Sequence, residues 1–573
     1  MRSGHFLFRP HVCHLALSLV AIQRSRPLST SSFDPAVRQF LVKLAEHQPC
    51  FSMSSSSVHI LHEPRLFYQS LLRMIRGARH RLFISSLYIG TEDIELIDAL
   101  HTSLHDNPAL HLYVHLDLNR STRPGPRSTA QLLLPLLREH PDRVHVYLFR
   151  SPKLKGLLAR LVPPRFNEGW GTWHPKIYGA DDDVLISGAN LNTSYFTNRQ
   201  DRYLRFTEQP GLAQYCFAFL QAAATFSYSL LPSPTAQDEY TLNWPDAYTH
   251  PHQIEKKAKK HLEESDVLVF PIIQAGQFNV REEERCLALL FDALSAQISN
   301  PRNTPNYDGP LMDFTSGYFA LYKPYQDLIL QSRVACRILS ASPKANGFYG
   351  SKGISGRIPE GYTLFERRFM KAVCAAGREW SHDAPDGGAG AGVQLSEWEK
   401  EGWTYHAKGI WLRPTMSSTP NLTLFGSTNL NARSADLDTE LSFVLATTAP
   451  ALRETLAAEA DGLRAHAQTW RGCERRVRVG TRALVGVVGA PSQSATESFS
   501  LETEILEYFY LLAYFRHVFN IYVYSAFNFG ESNQDRSFPS TSSPRQITDG
   551  GYNMHTPAFP AYSLVNLGLL PGH

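Results

Sequence analysis

The seven cysteines (positions 13, 50, 216, 286, 336, 374 and 473) include no C-x-x-C pair. Their scatter argues against a disulfide scaffold or a cysteine zinc site and suits a reducing compartment. Excess charge of one sign is lacking too. With 56 Lys+Arg against 53 Asp+Glu the net charge is +3, so nothing global points to nucleic acid and no such partner is expected. Past residue 33 there is no run of 18 clean apolar residues. The nearest, 505–527, holds Glu507, Arg516 and His517. The chain is therefore expected to be soluble or to lie on a membrane surface, not to span it. H-E-x-x-H, EF-hand and Walker A strings are missing, which removes common metal and nucleotide signatures. Acids are missing from residues 1–33, which carry Arg2, Arg9, Arg24 and Arg26 and end in L-S-T-S-S-F. That is the composition of an organelle transit peptide. A secretory signal fits less well, because arginines rather than an A-x-A-like site follow the short apolar stretch 15–22.

What the chain does contain is a repeat. H-P-K-I-Y-G-A-D-D-D-V-L-I-S-G-A-N-L-N starts at His174, with Asp201 following in N-R-Q-D-R-Y. H-A-K-G-I-W-L starts at His406, followed by F-G-S-T-N-L-N and then Glu440 in D-T-E-L-S-F. Asn190 precedes Asp201 by 11 residues, and Asn429 precedes Glu440 by 11. One H-x-K string arises easily by chance. Two, each with an asparagine and a carboxylate in the same order, point to a duplication.

Periodicity around both copies alternates between helix and strand. In the first half it predicts a helix from Pro64, strands at 81–88, 110–118, 144–149 and 203–206, and helices at 94–104, 130–138 and 211–230. In the second it predicts strands at 267–273, 316–321, 334–339 and 441–446, and helices at 280–296, 325–331, 362–374 and 452–469. The expected fold is α/β: two duplicated αβα lobes with mixed, largely parallel sheets, packed as a pseudo-twofold pair. The expected divisions are a transit peptide at 1–33, a first lobe at 34–230, a linker at 231–266, a second lobe at 267–470 and a partly disordered tail at 471–573.

On a strand, residues i and i+2 share a face, so His174 projects with Lys176 and His406 with Lys408. Pairing the halves would put two imidazoles and two ammonium groups in one pocket. A neutral imidazole can attack phosphorus, and a protonated one can donate to the leaving oxygen. Lys176 and Lys408 would hold the non-bridging oxygens, with Asn190 and Asn429 as neutral donors. Asp201 and Glu440 would each accept from the far nitrogen of a histidine and fix its tautomer. The scheme calls for no metal and no cofactor. The Gly-rich loop 345–357 offers Lys352 and Arg357 as a cation site for an anionic substrate, or is simply a turn. Segment 154–166, with Leu154, Leu157, Leu158 and Leu161 at helical spacing among Lys153, Lys155, Arg160 and Arg165, is either an interfacial helix or a buried amphipathic one. The run holding Lys256, Lys257, Lys259 and Lys260 reads as an exposed helix, with an anionic-lipid contact as the alternative.

H-x-K-x4-D (His174, Lys176, Asp181) followed by S-G-A-N, and H-x-K followed by G-S-T-N, resemble the signatures of the phospholipase D superfamily. Longer strings at 186–203, 345–353, 358–362 and 405–412 are similar to the eukaryotic mitochondrial phosphatidylglycerophosphate synthases, the CDP-diacylglycerol–glycerol-3-phosphate 3-phosphatidyltransferases. The likeness spans roughly residues 60–470. It implies transfer of the phosphatidyl group of CDP-diacylglycerol to sn-glycerol 3-phosphate, with release of CMP. The product is a precursor of cardiolipin. It also implies a phospho-histidine intermediate on His174, with His406 as acid/base, peripheral contact with an anionic membrane, and a mitochondrial site at the matrix face of the inner membrane. Two departures stand out. Arg413 stands where the pattern has a second Asp, which puts Asp181 in question as half of a symmetric pair. Ser187-Gly188 stands where the pattern has Gly-Ser. The rivals are another phospholipase D-type enzyme, such as a cardiolipin synthase-like transferase or a nuclease, and an inactive scaffold.

Overall fold

The structure is a computed structural model. It describes residues 32–481, apart from 126, 155–161, 163, 165, 166, 235, 237, 238, 245–265, 299–308 and 381–391. All but Ser32 and Phe33 of the expected transit peptide, Leu157, Leu158 and Leu161 of segment 154–166, the lysine run at 256–260 and most of the tail lie outside the described residues.

Two large sheets carry the fold. In the first, the strand order is Tyr240–Asn243, Tyr228–Pro232, Val144–Phe149, His111–Asp117, Arg81–Ser85, Ile177–Ala180, Asp183–Ser187, Tyr203–Phe206, Val58–Leu61. In the second it is Ala467–Thr469, Val393–Trp398, Ala335–Ala341, Leu311–Ser316, Lys408–Arg413, Leu422–Gly426, Glu440–Thr447, Val267–Ala275, Phe51–Met53. From the second strand of the first list and the first strand of the second, the two orders match strand for strand. The duplication read from the motifs is thus a duplication of topology.

Parallel pairing is confined to three adjacent strands of each sheet: 81–85, 111–117 and 144–149, then 311–316, 335–341 and 393–398. The other pairs are antiparallel, so the sheets are mixed and less parallel than expected. The motif strands explain this. Ile177–Ala180 turns back directly into Asp183–Ser187, and so short a connection permits only an antiparallel neighbour.

Both faces of each sheet are covered, and the apolar side chains divide by strand alternation. Ile84 and Leu185 face a core with helices Pro64–Gly77, Ile94–Asp106 and Thr129–Glu139. Phe83, Val184 and Ile186 face a shared core that also takes Phe425, Phe443 and Trp411 of the second sheet. Helices Pro210–Ala224 and Pro450–Arg464 pack into that shared core. The far face of the second sheet carries helices Glu282–Ile298, Lys323–Gln331 and Ile358–Ala375.

Several expectations shift. Helix Pro35–Ala45 is capped by Asp34, whose Oδ1 accepts from Ala36 N at 3.0 Å. It packs in the second lobe's core, and Phe51–Met53 pairs with Val267–Ala275. Residues 35–53 thus precede the first lobe in the chain but are built into the second. The expected linker contributes the strand Tyr240–Asn243, an edge hairpin on the first sheet. The strand expected at 316–321 is Leu311–Ser316. The helices expected to reach 230 and 469 stop at Ala224 and Arg464, and each gives way to a short strand, Tyr228–Pro232 or Ala467–Thr469.

Candidate active site

The second asparagine of each N-L-N string is structural. Asn192 and Asn431 cap the short helices Thr193–Thr197 and Ala432–Asp436, accepting from Ser194 N at 3.2 Å and Ser434 N at 2.9 Å. This holds the first asparagine of each string, Asn190 or Asn429, at the strand end where the site begins.

The histidines do not lie within the long strands as expected. His174 and Lys176 precede Ile177–Ala180, and His406 sits in the break between Thr404–Tyr405 and Lys408–Arg413. Backbone pairing across the lobes fixes both. Trp173 bridges Thr439, and His174 N donates to Thr439 O at 3.0 Å. Tyr405 pairs with Gln200, and His406 N donates to Gln200 O at 2.8 Å. In each case the residue before a histidine is registered with the residue before the other lobe's carboxylate.

The carboxylates are consequently exchanged. His174 Nδ1 lies 2.8 Å from Glu440 Oε2, and His406 Nδ1 lies 2.7 Å from Asp201 Oδ2. For His174, donation from Nδ1 to Glu440 leaves Nε2 as the bare, attacking nitrogen; at His406, Lys408 Nζ also lies 2.6 Å from Nδ1 and 3.2 Å from Nε2. The sequence expects a carboxylate for each histidine; the structure supplies it from the opposite lobe. His174, Lys176, Asn190, Asp201, His406, Lys408, Asn429 and Glu440 are all buried.

The two copies hold their carboxylates differently. Glu440 accepts from the hydroxyls of Ser427 and Ser434. At the position matching Ser427 the first copy has Gly188, where a Cβ would fall 2.4 Å from Asp201 Oδ1. Asp is one methylene shorter than Glu, so its carboxylate occupies the space that the serine side chain fills in the other copy. The inverted Ser187-Gly188 is thus the partner of Asp201. Asp201 takes its other hydrogen bond from Arg202 N at 2.8 Å.

Burial dominates the electrostatics. It pushes Lys176 down to about 7 and Lys408 down to about 8, and raises Asp201 to about 6 despite Lys408. His174 is lowered by burial against the pull of Glu440. His406 is lowered further, by burial and then by Lys408, Arg199, Lys176 and His174. Each half thus feels the charges of the other. Lys408 Nζ lies 3.7 Å from Asp201, and both lysines reach the carbonyl of their own histidine. Asn190 Nδ2 donates to Tyr195 OH at 3.1 Å. The buried Oδ1 of Asn429 has no protein partner, an orphan that a bound substrate or an amide flip would satisfy.

Asp181 is not brought to the site. It sits at φ +51 in the turn after Ile177–Ala180 and accepts from Arg79 N, His80 N and Arg81 N at 2.8, 2.9 and 3.0 Å. Its counterpart Arg413 pairs with Asp313 and Asp461. Both positions brace the far ends of the motif strands, which explains why one can be acidic and the other basic. Lys352 is exposed, and Arg357 lies beside Gly480. The loop meets the site earlier, at Ala345, whose carbonyl accepts from Tyr405 N at 2.9 Å, and at Gly347.

The sequence reading missed an aromatic and guanidinium wall. Tyr195 and Tyr318 set ring edges against His406, with centroids at 5.3 and 5.5 Å. Arg199 lies over Tyr195, and Arg120 over Tyr88, at 4.6 and 4.3 Å. One signal was present: S-L-Y at 86–88 and S-G-Y at 316–318 occupy equivalent strand ends, and Ser86 and Ser316 bond Asn190 Oδ1 and Asn429 O. Among the described residues no group of three metal-ligating side chains forms, and no helix is long and apolar enough to cross a membrane.

No family model matches the chain. Among solved structures it is similar to phosphatidylserine synthase of Haemophilus influenzae, with a TM-score of 0.56 and 19% identity over 77% of this chain and 93% of that one. At that identity the likeness speaks to the fold. Curated relatives are closer. The CDP-diacylglycerol–glycerol-3-phosphate 3-phosphatidyltransferase of Schizosaccharomyces pombe is 33% identical over 77% of this chain and 95% of its own length. The mitochondrial enzymes of that name from Gallus gallus and Homo sapiens are each 34% identical over 72% of this chain, covering 79% and 78% of theirs. By that identity and coverage, the chain belongs to the CDP-diacylglycerol–glycerol-3-phosphate 3-phosphatidyltransferase family.

Proposed function

We propose that the protein transfers the phosphatidyl group of CDP-diacylglycerol to sn-glycerol 3-phosphate, in mitochondria, by double displacement. The observation that carries the mechanism is the exchange of carboxylates, His174 with Glu440 and His406 with Asp201. It sets the Nδ1 side of each imidazole against a carboxylate and leaves Nε2 to the reacting atoms, bare in His174 and protonated in His406 at the start of the cycle. Nε2 of His174 attacks phosphorus, the N–P bond forms, and the P–O bond to CMP breaks, with His406 supplying the proton. In the second step the acceptor hydroxyl gives its proton to Nε2 of His406, its oxygen bonds phosphorus, and the N–P bond breaks. Lys176 and Lys408 hold the non-bridging oxygens as charge moves onto them, and Asn190 and Asn429 line the same space. Every step is written without a metal.

In this reading the chain lies against the anionic matrix face of the inner membrane and feeds cardiolipin synthesis. Residues 1–33 serve as the transit peptide. The lobe of the first sheet, through its hairpin ending at Asn243, and the lobe of the second, with residues 35–53 and 471–481 packed on it, form the working unit. The test is purified protein with CDP-diacylglycerol in EDTA, supplied with water, serine, glycerol or glycerol 3-phosphate. Phosphatidylglycerophosphate should form only with the last, and His174→Ala and His406→Ala should abolish it. A phosphatidyl adduct trapped on His406 in wild-type enzyme would reverse the two roles. Equal product from serine would move the chain to another acceptor class.

A further inference from the structure

The repeat breaks in sign at one pair of positions beside the site. Arg199 stands two residues before Asp201, and Asp438 stands two before Glu440. Asp438 is committed within the protein. Its Oδ1 accepts from Thr172 N and Thr172 Oγ1 at 2.8 and 2.9 Å, and its Oδ2 pairs with Arg433 at 2.9 Å.

Arg199 is not neutralised in this way. Its Nε donates to Thr404 Oγ1 at 3.0 Å, and its guanidinium lies 4.6 Å from the Tyr195 ring centre. Its field reaches Asp201 and His406, yet among the described residues no carboxylate stands within ion-pair distance of it. Its Nη2 points toward a spot left open by a glycine. A Cβ on Gly347 would come within 3.3 Å of Nη2 and 3.0 Å of the Tyr318 hydroxyl. A half-buried guanidinium, a phenol and a bare backbone thus converge next to the ring of His406, which Tyr195 and Tyr318 also contact edge-on.

We infer that Arg199, with the Tyr318 hydroxyl and the backbone at Gly347, is the subsite for the phosphate monoester of the acceptor alcohol. The inference rests on the transferase reading above. In a double displacement led by His174, the departing and the incoming oxygen both take the face opposite its Nε2, which is the His406 face. The acceptor must therefore present its hydroxyl to His406 and carry its phosphate past it, toward Arg199. A guanidinium fork matches phosphate oxygens in two parallel hydrogen bonds. At the matching position of the other half stands an acid already paired with Arg433, so the repeat places this guanidinium on the His406 side alone.

The test compares acceptors that differ only in that phosphate. Full-length wild-type enzyme, Arg199→Gln, Arg199→Lys and Tyr318→Phe are assayed with CDP-diacylglycerol and either glycerol 3-phosphate or concentrated glycerol. The readout is the ratio of kcat/KM for the two acceptors. Loss of a charge-assisted contact predicts a fall in that ratio of about 10–100-fold for Arg199→Gln. Arg199→Lys should recover part of it, and Tyr318→Phe should lower it about 3–10-fold. A ratio within twofold of wild type in both Arg199→Gln and Tyr318→Phe sinks the inference alone, because a merely structural role lowers both acceptors together. Wild-type enzyme that forms no phosphatidylglycerophosphate sinks the reading beneath it as well.

Discussion

Asp181 and Asp201 look alike in the sequence, each an acid a short distance past an H-x-K, yet they do different work. Three backbone N–H groups converge on Asp181, and they hold its carboxyl below the usual range although burial opposes them. Asp201 meets one imidazole and one backbone N–H. Asp181→Asn should cost about 1–2 kcal/mol in urea unfolding while the folded enzyme turns over as wild type. Asp201→Asn should keep the fold and lose turnover on the order of 10³–10⁴-fold, the penalty for a misplaced tautomer. Parity between the two variants in turnover would undo the distinction. The lysines set a pH limit. Both are needed as ammonium, a form present below their pKa, and burial has brought those values down to about 7 and about 8. Asp201 is needed ionised, a form present above its value of about 6. A plot of kcat/KM against pH should therefore rise through about 6, begin to fall through about 7 and fall more steeply above about 8, and a rate still climbing at pH 9 would contradict it.

At the scale of elements, the repeat was legible because motif and topology were duplicated together. Most strands and helices followed from alternation. The exceptions have physical causes. Leu311–Ser316 carries Asp313 and Thr315, which break the apolar pattern, and the strand tolerates them because Arg337 and Arg413 pair with the aspartate and Leu339 O accepts from the threonine. The helices ending at Ala224 and Arg464 look longer in sequence, since nothing local marks where the short strand after each begins. Strand pairing with Val144–Phe149 and Val393–Trp398 decides that. Which carboxylate serves which histidine was not legible, because it depends on two short cross-lobe registers. Thr439→Pro removes the N–H that donates to Thr172 O at 3.0 Å. Turnover should fall about 100-fold or more with little change in circular dichroism. Thr439→Val keeps that N–H and gives up only the hydroxyl contact with Gln277, so it should stay within a few-fold. If proline and valine behave alike, the register is not what holds Glu440.

For the whole molecule, the question is what keeps two lobes docked closely enough for carboxylates to be exchanged. The shared apolar core supplies the area, but apolar packing alone does not set register. Arg202 does. It lies between Asp201 and the strand Tyr203–Phe206 and reaches into the second lobe. Its Nε and Nη2 meet both carboxylate oxygens of Glu459 at 2.9 and 2.8 Å, Nη1 donates to Leu424 O at 2.9 Å, and the guanidinium lies 3.8 Å from the Trp411 ring centre. Trp411 Nε1 donates to the same Glu459 oxygen at 2.9 Å. A buried pair of this kind adds little net stability over apolar side chains of the same volume, but removing one partner strands the other charge. Glu459→Ala should therefore destabilise the protein by about 3–5 kcal/mol in chemical unfolding, and Arg202→Met with Glu459→Met by much less. The double variant separates stability from register. If the pair only stabilised, restoring stability would restore turnover. If it positions Asp201 against His406, the double variant should fold well and remain slow, with the deficit in kcat rather than in KM.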